Sequence, residues 1–221
     1  MTWAKKTMLY IAFLLVSLLL LAVDHRRVVL GDTFFRFVGL PPWSENDQGL
    51  HYSAVLGIIL TFISGNLVIR HFRVKYKRVA RKVVVACILF FILFPTITKG
   101  TMTLIHYNGS GLAALDYSKN GYLCSYTELD DIASYDCKIK IYNYGNQTET
   151  VQIKPILKEG RLDPGEIIDI KYVLLTIPPR SEMTYSITFE SNATDTGGFG
   201  ISRDGGVSFK QDGKERRVLW Y

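Results

Sequence analysis

Hydrophobic and polar positions fall into two regimes that change near Gly100. Before it, residues 8–23, 54–69 and 83–98 run without a single Asp, Glu, Lys, Arg or His. Runs this rich in Leu, Ile, Val and Phe lack the polar face that a surface helix needs. With the tolerated neighbours Thr7, Tyr52 and Ser53 they reach the short end of the length a bilayer crossing requires. They predict three transmembrane helices at residues 7–23, 53–69 and 83–98, separated by loops at 24–52 and 70–82.

After Gly100 the period drops to two. Cys137, Ile139 and Ile141 alternate with Lys138, Lys140 and Tyr142; Val151 and Ile153 alternate with Thr150, Gln152 and Lys154. Tyr185, Ile187 and Phe189 alternate in the same way with Thr184, Ser186 and Thr188. Further strands are expected at 102–107, 122–126, 167–175, 207–210 and 218–221. Turn signals divide them, among them Asp163-Pro164-Gly165, Pro178-Pro179, Gly197-Gly198, Asp204-Gly205-Gly206 and Asp212-Gly213. Short strands at roughly ten-residue spacing predict an antiparallel β-sandwich. The fold class expected is membrane α + β, with a three-span membrane domain at 1–99 and a β-sandwich domain at 100–221.

The stretch 138–153, with Asn143-Tyr144-Gly145-Asn146 between two alternating strands, is followed by Ile177-Pro178-Pro179-Arg180 ahead of the strand around Ile187. This pattern resembles immunoglobulin-like sandwich modules of bacterial surface proteins. The resemblance covers about fifty residues; it implies a fold class and transfers no functional residue.

Charge changes the picture of partners and sidedness. The chain of 221 residues is 48% hydrophobic and carries a formal charge of +6. The cations are unevenly spread, so that residues 1–99 are net +9 and the remainder net −3. A mildly acidic β domain excludes nucleic acid as its expected partner. Arg70, Arg73, Lys75, Lys77, Arg78, Arg81 and Lys82 crowd the loop between the second and third spans with no acid among them. Short loops of this kind stay cytoplasmic. The N-terminus with Lys5 and Lys6 is then also inside, and both the loop 24–52 and the C-terminal domain lie outside the cytoplasm, despite Arg26 and Arg27 just past the first span. Lys5 and Lys6 ahead of an apolar run look like a signal peptide. The run exits as Leu21-Ala22-Val23-Asp24 without a small-x-small cleavage pair, which predicts an uncleaved signal anchor in the cell membrane.

Cys124 and Cys137 both fall in the exported domain, where an oxidising environment favours a disulfide, while Cys87 is expected to pack inside the third span. No cofactor is expected, and with only His106 and no further Cys nearby, no zinc. The sequons at Asn108, Asn146 and Asn192 all fall in the β domain too.

Four other groups are candidates for function. Ser53, Gly57, Thr61 and Gly65 recur every four residues and form a helix-packing face for another span, a partner subunit or a second copy of the chain. The seven cations of the basic loop are suited to lipid headgroups as well as to fixing topology. Phe34, Phe35, Phe37 and Trp43, with Leu40, Pro41 and Pro42, mark an interfacial loop or short re-entrant turn. Glu128, Asp130, Asp131 and Asp136, inside the Cys124–Cys137 loop with Tyr126 and Tyr135, form a candidate site for Ca²⁺ or a basic partner.

The chain contains no His-Glu-x-x-His, no Gly-x-Ser-x-Gly and no phosphate-binding glycine loop, and Asn108-Gly109-Ser110-Gly111 lacks the nucleophile-turn spacing. The leading expectation is a non-enzymatic binding or accessory subunit of a membrane assembly. A membrane sensor with a ligand at the Cys124–Cys137 loop is the first alternative, and an extracytoplasmic enzyme the second.

Overall fold

The computed structural model describes residues 2–45, 48–129, 132–157, 170–192, 199–202 and 205–219. The chain divides into two compact units, Met1–Lys99 and Gly100–Tyr221.

In the first unit, α1 (Trp3–Leu21), α3 (Tyr52–Arg73) and α4 (Val79–Ile105, continuing into the second unit) are each long and apolar enough to cross a membrane. Each is longer than its uncharged run, because Lys5, Lys6, Arg70, Arg73, Arg81, Lys82 and Lys99 are good helix formers and extend the ends. The short helix α2 (Leu30–Phe37) and the hairpin β1 (Trp43–Glu45)–β2 (Gln48–His51) fill the segment between α1 and α3.

The helices alternate in direction, and polar contacts pin both ends. At one end Thr7 Oγ1 meets His71 Nε2 at 2.7 Å, and Trp3 stacks on the His71 ring at 5.0 Å. At the other, the Thr98 hydroxyl lies 3.1 Å from Nδ1 of His25 and accepts the His25 backbone N–H. Midway along α1 and α3, Ser17 and Ser64 are fully buried with their hydroxyls 2.9 Å apart. In α4, Pro95 has no N–H to offer the carbonyl of Phe91.

The second unit holds two four-stranded antiparallel sheets. One has the order β7 (Ser181–Asn192), β4 (Ile132–Asn143), β3 (Leu115–Leu129), β8 (Phe199–Ser202). The other runs β10 (Lys214–Leu219), β9 (Gly205–Gln211), β5 (Glu149–Leu157), β6 (Val173–Ile177). Their alternating inward residues meet in one core, with Tyr117, Ile139 and Phe189 from the first sheet and Val151, Ile153 and Phe209 from the second.

An irregularity between Tyr117 and Tyr122 in β3 lets both rings face this core. The Tyr117 hydroxyl donates to Gly205 O at 2.6 Å and that of Tyr122 to Ile156 O at 3.4 Å, which ties one sheet to the other. Burial pushes the Tyr122 phenol well above its ordinary range.

Two strand expectations and one loop expectation need correction. Residues 102–107 are not a strand: α4 runs on to Ile105, because adding residues to an existing helix costs far less than starting a new element. Of the segment expected as a loop between Cys124 and Cys137, residues 124–129 and 132–137 are instead paired arms of β3 and β4, from Cys124↔Cys137 to Leu129↔Ile132. In the third case β10 begins at Lys214, four residues before the expected strand, since Asp212-Gly213 forms a tight turn with both residues at positive φ. The short strand β8 gave no alternating signal of its own. Of the strand expected at 167–175, residues 167–169 lie outside the described residues.

Candidate functional site

An apolar groove of about 560 Å³ lies in the first unit, bounded by α1, the end of α3 and the first half of α4. Leu14 and Leu18 of α1, Val68 of α3 and Val83 and Phe90 of α4 line it, and Lys82 and Tyr76 stand at its mouth. Its existence follows from unequal packing. Small residues let α1 and α3 approach closely, whereas the β-branched and aromatic side chains of α4 hold that helix away. Cys87, half-buried, lines the wall.

The mouth is cationic. Arg70, Arg73, Lys75, Lys77, Arg78, Arg81 and Lys82 are all exposed around the turn that joins α3 to α4. The Lys82 ammonium lies 5.9 Å from the Tyr76 ring centroid and that of Lys75 5.7 Å from the same ring. Lys75 also sits 5.3 Å over Trp3, so aromatic faces gather these charges at one place.

The small-residue face is split by the structure. Ser53 and Gly57 are buried, and a Cβ on Gly57 would lie 2.7 Å from a Leu21 methyl. Thr61 is half-buried with its hydroxyl unbonded, and a Cβ on Gly65 would meet open space. The buried face continues instead through Ser64 and Val68, because 3.6 residues per turn carries a strict four-residue stripe off the contact line.

At the opposite end of the unit Ser53 belongs to a polar cluster that sequence reading did not assemble. Asp32 Oδ1 accepts from the Ser53 hydroxyl at 2.5 Å and lies 2.6 Å from His51 Nε2, which is itself 3.0 Å from Ser53 Oγ. Trp43 stacks on the His51 ring with centroids 3.9 Å apart. A nucleophilic relay needs the carboxylate on Nδ1 and the hydroxyl on Nε2; here both meet Nε2. The cluster therefore fastens α2 and the hairpin to the start of α3. The sequence signal for it was slight: His51 and Ser53 sit at the start of the second span, and Asp32 lies nineteen positions before His51.

Of the interfacial group, Phe35 is buried, Phe34 exposed and Phe37 86% exposed at the end of α2. A second carboxylate here, Asp24, is buried with Oδ2 accepting from Arg26 Nε at 2.8 Å and Oδ1 accepting the Arg26 and Val28 backbone N–H groups.

In the β unit Cys124 and Cys137 are directly opposite one another on β3 and β4 with sulfurs 2.05 Å apart, and both are buried. Asp136 is exposed on β4 and accepts a hydrogen bond from Thr188 at 2.7 Å. Glu128 lies on β3 opposite Ala133, and Asp130 and Asp131 lie outside the described residues. Among the described residues no group of three or more His, Cys, Asp and Glu is arranged to hold a metal. Tyr126 lies on β3 and Tyr135 is buried on β4.

Two further clusters carry local order. Asn143, 1% exposed, donates through Nδ2 to Gln147 O and to the Ile177 and Pro178 carbonyls and accepts the Gly145 N–H, closing the Tyr144-Gly145-Asn146 turn. The exposed face of the second sheet carries Tyr172 between the ammoniums of Lys154 and Lys210, with Glu215 accepting from Ser208 and Arg217. The Arg217 hydrogen bond, aided by that of Ser208, holds the Glu215 carboxyl down at about 2.

Neither a protein-family model nor a curated protein nor a solved structure matches the chain.

Proposed function

We propose that this chain is a membrane-anchored, non-enzymatic binding or accessory subunit of a membrane assembly. In this reading α1, α3 and α4 cross one bilayer with the N-terminus and the basic turn in the cytoplasm. The two sheets form an immunoglobulin-like sandwich on the extracytoplasmic side, where the Cys124–Cys137 pair finds oxidising conditions and the sandwich contacts a partner protein.

The observation that carries the reading is the outward face of α4, where Val84, Ile88 and Ile92 are 54%, 54% and 63% exposed. Apolar area of this extent on a helix is satisfied only by lipid or by another apolar helix. Facing sheets with a shared core and turns closed by buried side chains support a rigid recognition module on the same chain.

A photoreactive residue at Ile92 tests it in native membranes. The expected result is a protein–protein cross-link at Ile92 that is lost when the label is moved to the buried Ser17 position. A chain that runs as a lone monomer in mild detergent, with Ile92 linked only to lipid, would overturn the subunit reading.

A further inference from the structure

The geometry points to the groove between α1, α3 and α4 as a binding site for one anionic glycerophospholipid, its acyl chain along the groove and its phosphate at the Tyr76–Lys82 mouth. This rests on the reading that the three helices cross a bilayer.

Two independent features select that occupant. The first is shape: the α4 wall runs from Val79 to Phe90, which at 1.5 Å per residue is about 16 Å, close to one leaflet of a hydrocarbon core about 30 Å thick. The groove is thus as deep as a single leaflet and open along its side, as a lipid tail entering from the bilayer requires. Apart from Cys87 the walls are Leu, Ile, Val, Ala and Phe, which call for an apolar filler, and a volume near 560 Å³ is in the range of ordinary ligand sites.

The second feature is charge. Among the described residues lining the groove the sole charged side chain, Lys82, stands at its end, beside the Tyr76 ring, with Lys75 within 5.7 Å of the same ring. Seven exposed cations surround that end and no carboxylate lies between residues 70 and 82. A zwitterionic headgroup would bring its own cation into this field; an anionic one brings only the phosphate that the field attracts. A phenol hydroxyl and an ammonium side by side supply the hydrogen-bond donors that phosphate oxygens accept.

Native mass spectrometry of the full chain tests the assignment after reconstitution into vesicles of equimolar phosphatidylcholine and phosphatidylglycerol and mild extraction. One retained phosphatidylglycerol per chain is expected. Lys82→Gln, at an exposed position that leaves the fold unaffected, is expected to lower the phosphatidylglycerol-to-phosphatidylcholine ratio roughly fivefold, the effect of about 1 kcal/mol per cation at the surface. Lys77→Gln, off the groove, should change it less than roughly twofold. Ala86→Trp, which fills the groove, is expected to abolish retention of either lipid. Equal retention of the two lipids, insensitivity to Lys82→Gln, or a protein adduct in place of lipid would each overturn the assignment. Failure of the underlying membrane reading looks different: the chain would leave the vesicles at alkaline pH without detergent.

Discussion

Single side chains settle much of the local order in each unit. The two Nδ2 hydrogens of Asn143 are shared among the Gln147, Ile177 and Pro178 carbonyls, and its Oδ1 accepts the Gly145 N–H. Asn143→Ala should destabilise the β unit by about 1–3 kcal/mol, the cost of stranding such groups, read as a lowered midpoint in chemical denaturation. The Tyr144-Gly145-Asn146 turn itself was visible in the sequence as turn chemistry. The role of Asn143 was not, because its partners Ile177 and Pro178 lie more than thirty positions away. Glu215 gives a pH signature. Its carboxyl is held at about 2 in the folded chain against an ordinary 4.5, so its stabilising contribution is complete above about 4.5 and is lost as pH falls towards 2. Glu215→Gln should flatten the denaturation midpoint of the β unit between pH 4.5 and 2 relative to the parent chain. A slope unchanged by the substitution would show that other carboxylates govern acid lability.

At the scale of elements, the packing of α1 on α3 depends on small and hydroxylated side chains rather than on interlocking large ones. The buried Ser17 and Ser64 hydroxyls share one hydrogen bond; the one that accepts it gives its own proton to a carbonyl of its helix, Leu14 O for Ser17 or Leu60 O for Ser64. With α1 and α3 in the bilayer as proposed, a double-mutant cycle with Ser17→Ala and Ser64→Ala should give a coupling of roughly 0.6 kcal/mol, and no more than about 1.7. Gly31 plays the matching part for α2: a Cβ there would sit 2.3 Å from Leu20 O, so the close crossing of α2 over α1 requires glycine. The hydrophobic pattern made the long helices legible because each is apolar all round. It could not give their contact faces, since an all-apolar helix has no moment to orient it. The strands were legible for the opposite reason. One wet face and one dry face impose a period of two, and the core residues Ile139, Ile153 and Phe189 fall on the dry side in phase with it.

For the whole molecule, sidedness is the property on which the proposed function turns. A reporter fused after Tyr221 is expected to be active only outside the cytoplasm, and one inserted at Lys77 only inside it; the reverse pattern would place the basic turn on the wrong side for both proposals. The chain's own sequence determined that there are three long apolar helices and then a region of antiparallel strands, because periodicity and uncharged length are local properties that a linear pattern records. Only the tertiary structure decided that Asp32, His51 and Ser53 meet, that Cys124 and Cys137 face one another across a hairpin, and that three helices leave a groove with a basic mouth. Those arrangements depend on which distant residues become neighbours. That choice is made by side-chain volume and by the satisfaction of buried polar groups, and neither leaves a periodic trace along the chain.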